Sequence, residues 1–273
     1  MMCADFSPEY RALLTASRQQ DWRRVVTVLA ALALAVTAGL YAGLFDPSRY
    51  QDVWRPISTL AADAMPPDFS RWRHWGRPLL ETLSMSIAGT LIGLLAALPL
   101  GALAARNIGG RWPGQLILLF LNTLRSVPGL VWGVIFVAAL GFGPLPGVMA
   151  LACHSTGMLG KFCAEMLEHL DAGPGDALRA QGVGAAGVFR FAVWPQLLPR
   201  LVDITLYRWE HNLRAATTLG VVGAGGLGLE IITAFHLFEY QEALALILVL
   251  LALVSLLNLF GAWLRWRLLG GQP

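Results

Sequence analysis

The stretch DALRAQGVGAAGVFRFAVWP, residues 176–195, separates two hydrophobic segments and decides the fold of this chain. Two glycines and a proline at 173–175 open it, and Asp176 falls in the first turn of the helix that they begin, where negative charge complements the helix dipole. Gly182 then predicts a bend, followed by a second helix that leads back into a hydrophobic run. The stretch predicts a short polar helix that a soluble partner can grip, although an ordinary loop has the same composition.

The composition indicates an integral membrane protein. Of the 273 residues, 56% are hydrophobic and only 14% are charged, whereas soluble domains carry roughly 25% charged residues. The net charge of +3 comes from arginine, since Lys161 is the only lysine. These arginines lie mostly between hydrophobic runs, where they orient membrane spans. No basic stripe with interleaved aromatic residues occurs, so we expect no nucleic-acid partner.

Six segments are long and apolar enough to cross a bilayer, which takes roughly 20 residues in a helix. The first covers 25–45, the second 79–105, the third begins near 115, and the others cover about 147–170, 196–219 and 243–264. In the third segment Pro128 removes a backbone donor, which predicts a kink within 125–129. The pattern predicts an all-α integral membrane protein with six transmembrane helices.

The basic flanks predict the orientation of these spans. Arginines at the amino end, between the second and third spans and at the carboxyl end place both termini in the cytoplasm of a multi-pass inner-membrane protein. Residues 46–78 then form an extracytoplasmic segment with an interfacial helix, although five arginines there oppose the rule. We expect one transmembrane domain over 1–273, with core spans within 79–265 and a cytoplasmic loop at 171–195.

Several chemical motifs are excluded by their context. GAGGLG at 223–228 has dinucleotide-binding letters, but an apolar helix precedes it rather than a strand, so a tight bend between packed helices is favoured. Cys153 and Cys163 lie ten residues apart, and His154 and His169 fifteen, which matches no metal-ligand spacing. No catalytic group, metal or bound cofactor is therefore expected.

The spacing of the opening stretch resembles the cytoplasmic loop of the membrane subunits of bacterial ABC importers, which reads E-A-A, then Gly, then I-x-L-P. The corresponding positions here are Asp176, Ala177, Leu178, Gly182, Ala192, Trp194 and Pro195. Identity holds at Ala177, Gly182 and Pro195, and Asp176 is conservative, whereas Leu178, Ala192 and Trp194 depart from the pattern. The resemblance implies that the ATPase-coupling residues are Asp176, Ala177, Leu178, Arg179 and Gly182.

Four further stretches resemble the phosphonate-type permeases, which take up phosphonates and reduced phosphorus oxyanions such as phosphite and hypophosphite. They are PPDFSRW (66–72), GPLPGVMAL (143–151), HSTGMLGK (154–161) and LYRWEHNLRAATTLGVVGAGGLG (206–228). The resemblance implies the type I ABC importer permease fold and a pair of permease subunits, with a homodimer favoured over a heterodimer. It also implies two cytoplasmic ABC ATPases and an extracytoplasmic substrate-binding protein.

This chain carries no phosphate loop of the form G-x-x-x-x-G-K-[ST], so the ATPase partners would supply ATP hydrolysis with its Mg. Three alternatives stay open. The chain could serve another substrate class of type I importer, act as an autonomous secondary transporter, or be a membrane-embedded enzyme. No internal repeat of broken helices and no carboxylate pair supports the last two.

Polar residues are concentrated in the fifth span, within LYRWEHNLRAATTLG (206–220). A charge at the bilayer centre costs roughly 2.5–3.5 kcal/mol on insertion scales, so these side chains must face protein, water or one another. One hypothesis is a structural ion pair between Glu210 and Arg214, which stand at the i,i+4 spacing, either within the subunit or across the dimer. The other is that Arg208, with His211 and Arg214, lines the path of an oxyanion.

Further candidates lie nearby, and those on the fourth span rest mostly on the resemblance. Residues of the fourth and fifth spans that could also line the pathway are His154, Ser155, Thr156 and Asn212. Residues that could form a structural pair or a gate are Glu210, Gly223, Gly225 and Gly226.

Overall fold

A computed structural model describes residues 8–50 and 52–269, with side chains described for all of these except 8–19, 49, 268 and 269. Every regular element in these ranges is helical. The chain divides into two compact units, and the boundary between them in the sequence follows Ala62.

The first unit holds a long apolar helix and a short amphipathic one. Helix α1 covers Pro8–Tyr41, a 3-10 turn covers Pro47–Arg49, and α2 covers Trp54–Asp63. The first predicted span extended to residue 45, but the helix ends at Tyr41, because Gly43 (φ +74°) turns the backbone out of the helical region. Helix α2 has no buried residue, as expected of a helix that lies outside a packed core.

The second unit contains the remaining helices. They are α3 (Gly76–Ala104), α4 (Arg106–Gly109), α5 (Arg111–Ser126), α6 (Gly129–Leu140), α7 (Pro144–Glu168), α8 (Gly173–Ala180), α9 (Ala185–Val188), α10 (Trp194–Gly220), α11 (Gly226–His236) and α12 (Tyr240–Leu269). A π turn over Phe189–Val193 joins α9 to α10.

By length and hydropathy, three helices within the described residues could cross a membrane: Gln20–Tyr41, Gly76–Ala104 and Tyr240–Arg267. A fourth is added if α5 and α6 form one broken span. Helices α7 and α10, with 25 and 27 residues, are also long enough at 1.5 Å per residue, but they carry charged side chains. The all-α membrane fold is confirmed, whereas the number six stays a prediction.

The predicted kink is present as an 86° bend between α5 and α6. Val127 is extended (φ −77°, ψ 122°), as the residue before a proline tends to be, and Pro128 starts the new helix. The indole Nε1 of Trp132 donates to the carbonyl oxygen of Leu124 across the break, at 3.1 Å. The break is therefore a fixed corner of the fold.

Helices α3 and α7 pack closely through glycines. A Cβ added at Gly89 would lie 2.6 Å from Leu151 Cβ, and one added at Gly93 would lie 2.6 Å from Ser155 Cβ. Small residues spaced four apart allow two helices to approach at backbone distance, as is common between membrane helices. This contact brings the polar side chains of α7 next to those of α3.

The stretch that opened the sequence analysis folds as expected. Helix α8 begins at Gly173, and Asp176 in its first turn accepts a hydrogen bond from Arg179 at 2.7 Å. Gly182 takes a left-handed conformation (φ +80°), which ends the helix as a glycine does in an αL cap. The chain then enters α9, the π turn and α10 without a break.

The glycine-rich segment after α10 forms the predicted tight bend but also begins a helix that the sequence analysis missed. A Cβ at Gly228 would lie 1.9 Å from the carbonyl oxygen of Thr217, so α10 and α11 meet backbone to backbone. Glu81 Oε2 of α3 accepts from the backbone nitrogen of Gly226 at 3.1 Å, and Thr82 Oγ1 accepts from that of Leu227 at 2.9 Å. These two side chains satisfy free N–H groups at the start of α11.

Candidate functional site

A cavity of about 330 Å³ lies where the start of α6 meets α7 and α10. It sits beside the α5–α6 corner, whose residues Gly129 and Leu130 form one wall. The lining residues are Gly129, Leu130, Ala150, Leu151, His154, Arg208, His211, Arg214, Ala215, Thr218 and Leu219. This set contains two arginines and two histidines but no carboxylate, so the cavity favours an anion.

Arg208 is the most deeply buried charge of the cavity, with 3% of its surface exposed. Its Nε donates to Ser155 Oγ at 3.0 Å. Among the side chains that the structure describes, no carboxylate lies within ion-pair distance of its guanidinium. A buried guanidinium stays protonated and is stable only with compensating polar contacts, so Arg208 in the cavity wall suits the oxygens of an anionic ligand.

A hydrogen-bond network behind the cavity holds Arg208 in place. Asn212 Nδ2 donates to Ser155 Oγ and to Thr90 Oγ1, both at 2.8 Å. Thr90 Oγ1 donates in turn to the carbonyl oxygen of Ser86 at 2.6 Å. The network joins α3, α7 and α10, and Thr90, Ser155 and Asn212 are all buried. It therefore fixes the position of the arginine relative to three helices.

The predicted pathway residues separate into two groups. His154, Arg208, His211 and Arg214 line the cavity. The others do not: Ser155 and Asn212 support Arg208 from behind, and Thr156 Oγ1 donates to the carbonyl oxygen of Ala152 at 2.8 Å on its own helix. That these three contact a substrate directly has no support in the geometry.

The predicted Glu210–Arg214 pair is not present within the chain, and a pair across the dimer stays a prediction. Glu210 Oε1 instead lies 2.8 Å from Arg265 Nη2 of α12. The i,i+4 spacing permits the predicted contact, but Arg214 points to the cavity while Glu210 is drawn to a cation on a neighbouring helix. The structural-pair hypothesis for Glu210 holds with a different partner, which a residue 55 positions away in the chain supplies.

The predicted gate glycines lie at the bend before α11. Gly223, Gly225 and Gly226 all have positive φ angles, and none of them lines the cavity. A Cβ at Gly223 would lie 2.3 Å from the ring of Phe142, so the bend packs against the turn between α6 and α7. Their role as a gate stays a prediction. The coupling residues lie on α8 and at Gly182, outside the cavity lining.

Sequence reasoning missed the residues that act through packing. Thr90 lies one position after Gly89 of the close α3–α7 contact, a register that could have been read from the glycine spacing. The cavity wall at Gly129 and Leu130 follows from the predicted kink, although no lining role was assigned to it. Nothing in the sequence indicates that Arg265 reaches Glu210.

Known proteins support the family inferred from the motifs. Residues 97–268 match the family described as binding-protein-dependent transport system inner membrane component. The phosphite transport system permease protein PtxC of Stutzerimonas stutzeri is 47% identical over 89% of both chains. The phosphate-import permease protein PhnE of Mycolicibacterium smegmatis is 38% identical over 82% of this chain and 42% of its own length.

The fold also matches solved structures. An inward-facing structure of the MetNI methionine ABC transporter aligns with a TM-score of 0.62 and 22% identity, covering 71% of this chain and 95% of the solved one. An amino acid ABC transporter aligns with a TM-score of 0.61 and 18% identity, over 75% of this chain and the whole of the other. At these identities the likeness supports the fold alone, which is the predicted type I importer permease fold. The chain belongs to the family of binding-protein-dependent transport system inner membrane components.

Proposed function

We propose that this chain is the permease subunit through which an ATP-driven importer passes a phosphorus oxyanion, phosphite or a related phosphonate, into the cytoplasm. The observation that carries the proposal is Arg208, a buried guanidinium without a carboxylate partner among the described residues, facing a cavity. An arginine offers forked donors to the oxygens of such an anion and needs no proton transfer to do so.

The size and lining of the cavity suit a small hydrated anion. Its volume is about 330 Å³. This is roughly ten times the volume that one water molecule occupies in the liquid, about 30 Å³. His211 and Arg214 lie on the exposed side of α10 in the single chain, where a second permease subunit would face them. A homodimer would then line one central path with His211 and Arg214 of both subunits.

The choice of a phosphorus compound rests on the relatives. PtxC is named for phosphite and PhnE of M. smegmatis for phosphate. The cationic cavity agrees with this group of cargoes, because each member is an oxyanion whose negative charge a guanidinium complements. Among them we favour phosphite, the cargo named for PtxC.

The partners follow from the same assignment. Two cytoplasmic ABC ATPases, which bind ATP and Mg, would dock on α8 through Asp176, Ala177, Leu178, Arg179 and Gly182. A substrate-binding protein would deliver the anion on the opposite side, with both termini of the permease in the cytoplasm. Closure of the ATPases would move α8 and, through the continuous helical segment that follows it, the cavity wall on α10.

The test is a reconstituted importer. The permease is assembled in proteoliposomes with its ATPase and binding protein, and ATP hydrolysis and uptake are measured with phosphite, hypophosphite, methylphosphonate, phosphate and sulfate. We expect a phosphorus oxyanion to stimulate both activities and sulfate to stimulate neither. Stimulation by none of the phosphorus compounds would contradict the proposed cargo. The purified permease should retain an ATPase, and Gly182→Val should lose it. A stable unsubstituted permease that never retains an ATPase would contradict the proposed coupling.

A further inference from the structure

Glu210 and Arg214 stand one helical turn apart on α10, and the structure keeps them separate. The Glu210 carboxylate pairs with Arg265 of α12 at 2.8 Å, with side-chain exposures of 11% for Glu210 and 27% for Arg265. Arg214 lines the cavity and forms no ion pair with any residue in the described ranges. The acid that could neutralise this cavity cation is therefore held against a neighbouring helix, α12.

Helix α12 provides a socket for this carboxylate. Gly261 lies one turn before Arg265, and a Cβ at that glycine would lie 2.2 Å from Glu210 Oε1. The missing side chain thus leaves the space that the carboxylate fills, while Arg265 supplies the charge. Trp209 meets Phe260 edge to face, with ring centroids 6.3 Å apart, in the same contact between α10 and α12.

The alternative partner of Glu210 is close by. Glutamate and arginine at i and i+4 on a helix attract each other, with the acid nearer the amino end as it is here. If Glu210 turned toward Arg214, that pair would cancel one of the two arginine charges that line the cavity. The field that attracts an anion would be weaker by that charge.

We propose that Arg265 is a positioning residue for anion transport: it holds Glu210 against α12 and so leaves Arg214 available to the anion. The inference rests on the proposed function, because it assumes that the cavity conducts an anion. It differs from a purely structural ion pair in one respect. The effect of losing Arg265 must pass through Arg214.

The test uses the complete importer in proteoliposomes with radiolabelled phosphite, and the readout is phosphite transported per ATP hydrolysed. Poor assembly lowers both quantities together and leaves this ratio unchanged, whereas a weakened anion path lowers the ratio. We expect Arg265→Gln to lower the ratio by about twofold or more, given the strength of an i,i+4 ion pair in a poorly solvated site. Arg265→Lys should retain the ratio of the unsubstituted protein.

Two double variants identify the route of the effect. Glu210→Gln/Arg265→Gln should restore the ratio, because no acid is left to capture Arg214. Arg214→Gln/Arg265→Gln should be no lower than Arg214→Gln alone. An unchanged ratio in Arg265→Gln, or additive losses in the second double variant, would overturn the inference.

Arg208→Gln separates this inference from the proposed function. If Arg208→Gln impairs phosphite transport while Arg265→Gln does not, only the role of Arg265 is lost. If Arg208→Gln and Arg214→Gln both transport phosphite normally, the anion path itself is wrong and the inference falls with it. Should Arg265→Gln fail to assemble, Glu210→Gln/Arg265→Gln carries the test, and a low ratio in that variant overturns the inference.

Discussion

Two arginines of this chain, Arg71 and Arg208, have opposite surroundings. Arg71, in the segment before α3, donates to Glu242 Oε2 at 2.7 Å and pairs with Glu239 Oε2 at 3.2 Å. The hydrogen bond to Glu242 is the main cause that raises the pKa of Arg71. Arg208 is more deeply buried, yet it has only the Ser155 hydroxyl as a side-chain partner in the described part of the chain. The better-buried charge is the less compensated one.

This difference separates a charge that holds the fold together from one that, under the proposed function, binds a ligand. Arg71 and Glu242, with the Trp75 indole donating to Glu242 Oε1 at 3.2 Å, tie the start of α12 to the segment before α3. Arg208 ties nothing of opposite charge. A buried cation without a counter-ion is destabilising unless something else completes it, and the cavity is where a transported anion would do so.

The largest expected effect comes from Arg208→Gln. Phosphite transport should fall by about tenfold or more, which corresponds to a loss of at least about 1.4 kcal/mol in the stabilisation of the anion. Thermal stability should stay the same or rise slightly, because a buried unpaired charge is removed. Uptake and melting temperature are measured on the same purified complex, and Arg208→Lys should retain part of the transport. A variant that melts early and transports normally once folded would place Arg208 with Arg71 as a structural charge.

Glu242→Gln should show the reverse pattern. Arg71 and the Trp75 indole would lose the carboxylate that they share, at a cost of about 1–2 kcal/mol in the free energy of unfolding. Transport per folded complex should stay within about twofold, since none of Arg71, Trp75 and Glu242 lines the cavity. Thermal unfolding and uptake are compared with those of Arg77→Gln, whose ion pair with Glu81 has an 89% exposed arginine and should contribute less than about 0.5 kcal/mol. Equal destabilisation by the two variants would contradict this contrast.

Ser155→Ala tests whether the fixed position of Arg208 matters. The serine oxygen accepts from both Arg208 and Asn212, so its loss should lower transport about three- to fivefold, in line with roughly 1 kcal/mol for one hydrogen bond. The adjacent hydroxyl provides a matched control, since Thr156 bonds only to backbone carbonyl oxygens. Thr156→Ala should change transport less than about twofold. Similar losses in both variants would show that helix packing, and not the arginine, is responsible.

The smallest effect concerns Asp68, which precedes Arg71 by three positions. Its carboxylate accepts hydrogen bonds from the backbone nitrogen and from the hydroxyl of Ser70. The bond from the backbone nitrogen is the main cause that lowers the pKa of Asp68 from its ordinary 3.8. The folded pKa lies below the unfolded one, so this stabilisation is present above pH 3.8 and is lost as the pH falls through the folded pKa. Melting temperatures of Asp68→Asn and the unsubstituted protein should therefore differ at neutral pH and converge in acid. A difference that grows in acid would contradict the sign.

The sequence predicts those parts of the molecule that depend on neighbouring residues. Pro128 determines the corner between α5 and α6, and Gly182 ends α8, because each restricts its own backbone. The concentration of charge in the fifth span marked Arg208, His211 and Arg214 as residues that must avoid lipid, and all three line the cavity. The backbone restrictions and charges of single residues were sufficient for these predictions.

What the sequence could not predict depends on contacts between distant helices. Arg265 competes with Arg214 for Glu210 only because α12 packs beside α10, and spacing along one helix cannot reveal this. Ser155 and Asn212 were predicted to line the pathway, but both are buried in the hydrogen-bond network behind Arg208 and outside the cavity lining. Helix α11 was missed because its eleven residues are few for a span and glycines begin it.

The helical segment that begins after Gly184 and ends at Gly220 has a mechanical consequence. Its α9 turn, π turn and α10 follow one another without an intervening loop between the region next to α8 and the cavity. Arg208 lies 14 residues beyond Trp194, which is about 21 Å along a helix. A tilt of about 10° at Trp194 would therefore move the guanidinium by roughly 3.7 Å, more than the length of a hydrogen bond. The segment would act as a lever arm. A small displacement at one surface of the membrane would be enough to make or break the contact between Arg208 and an anion within the membrane.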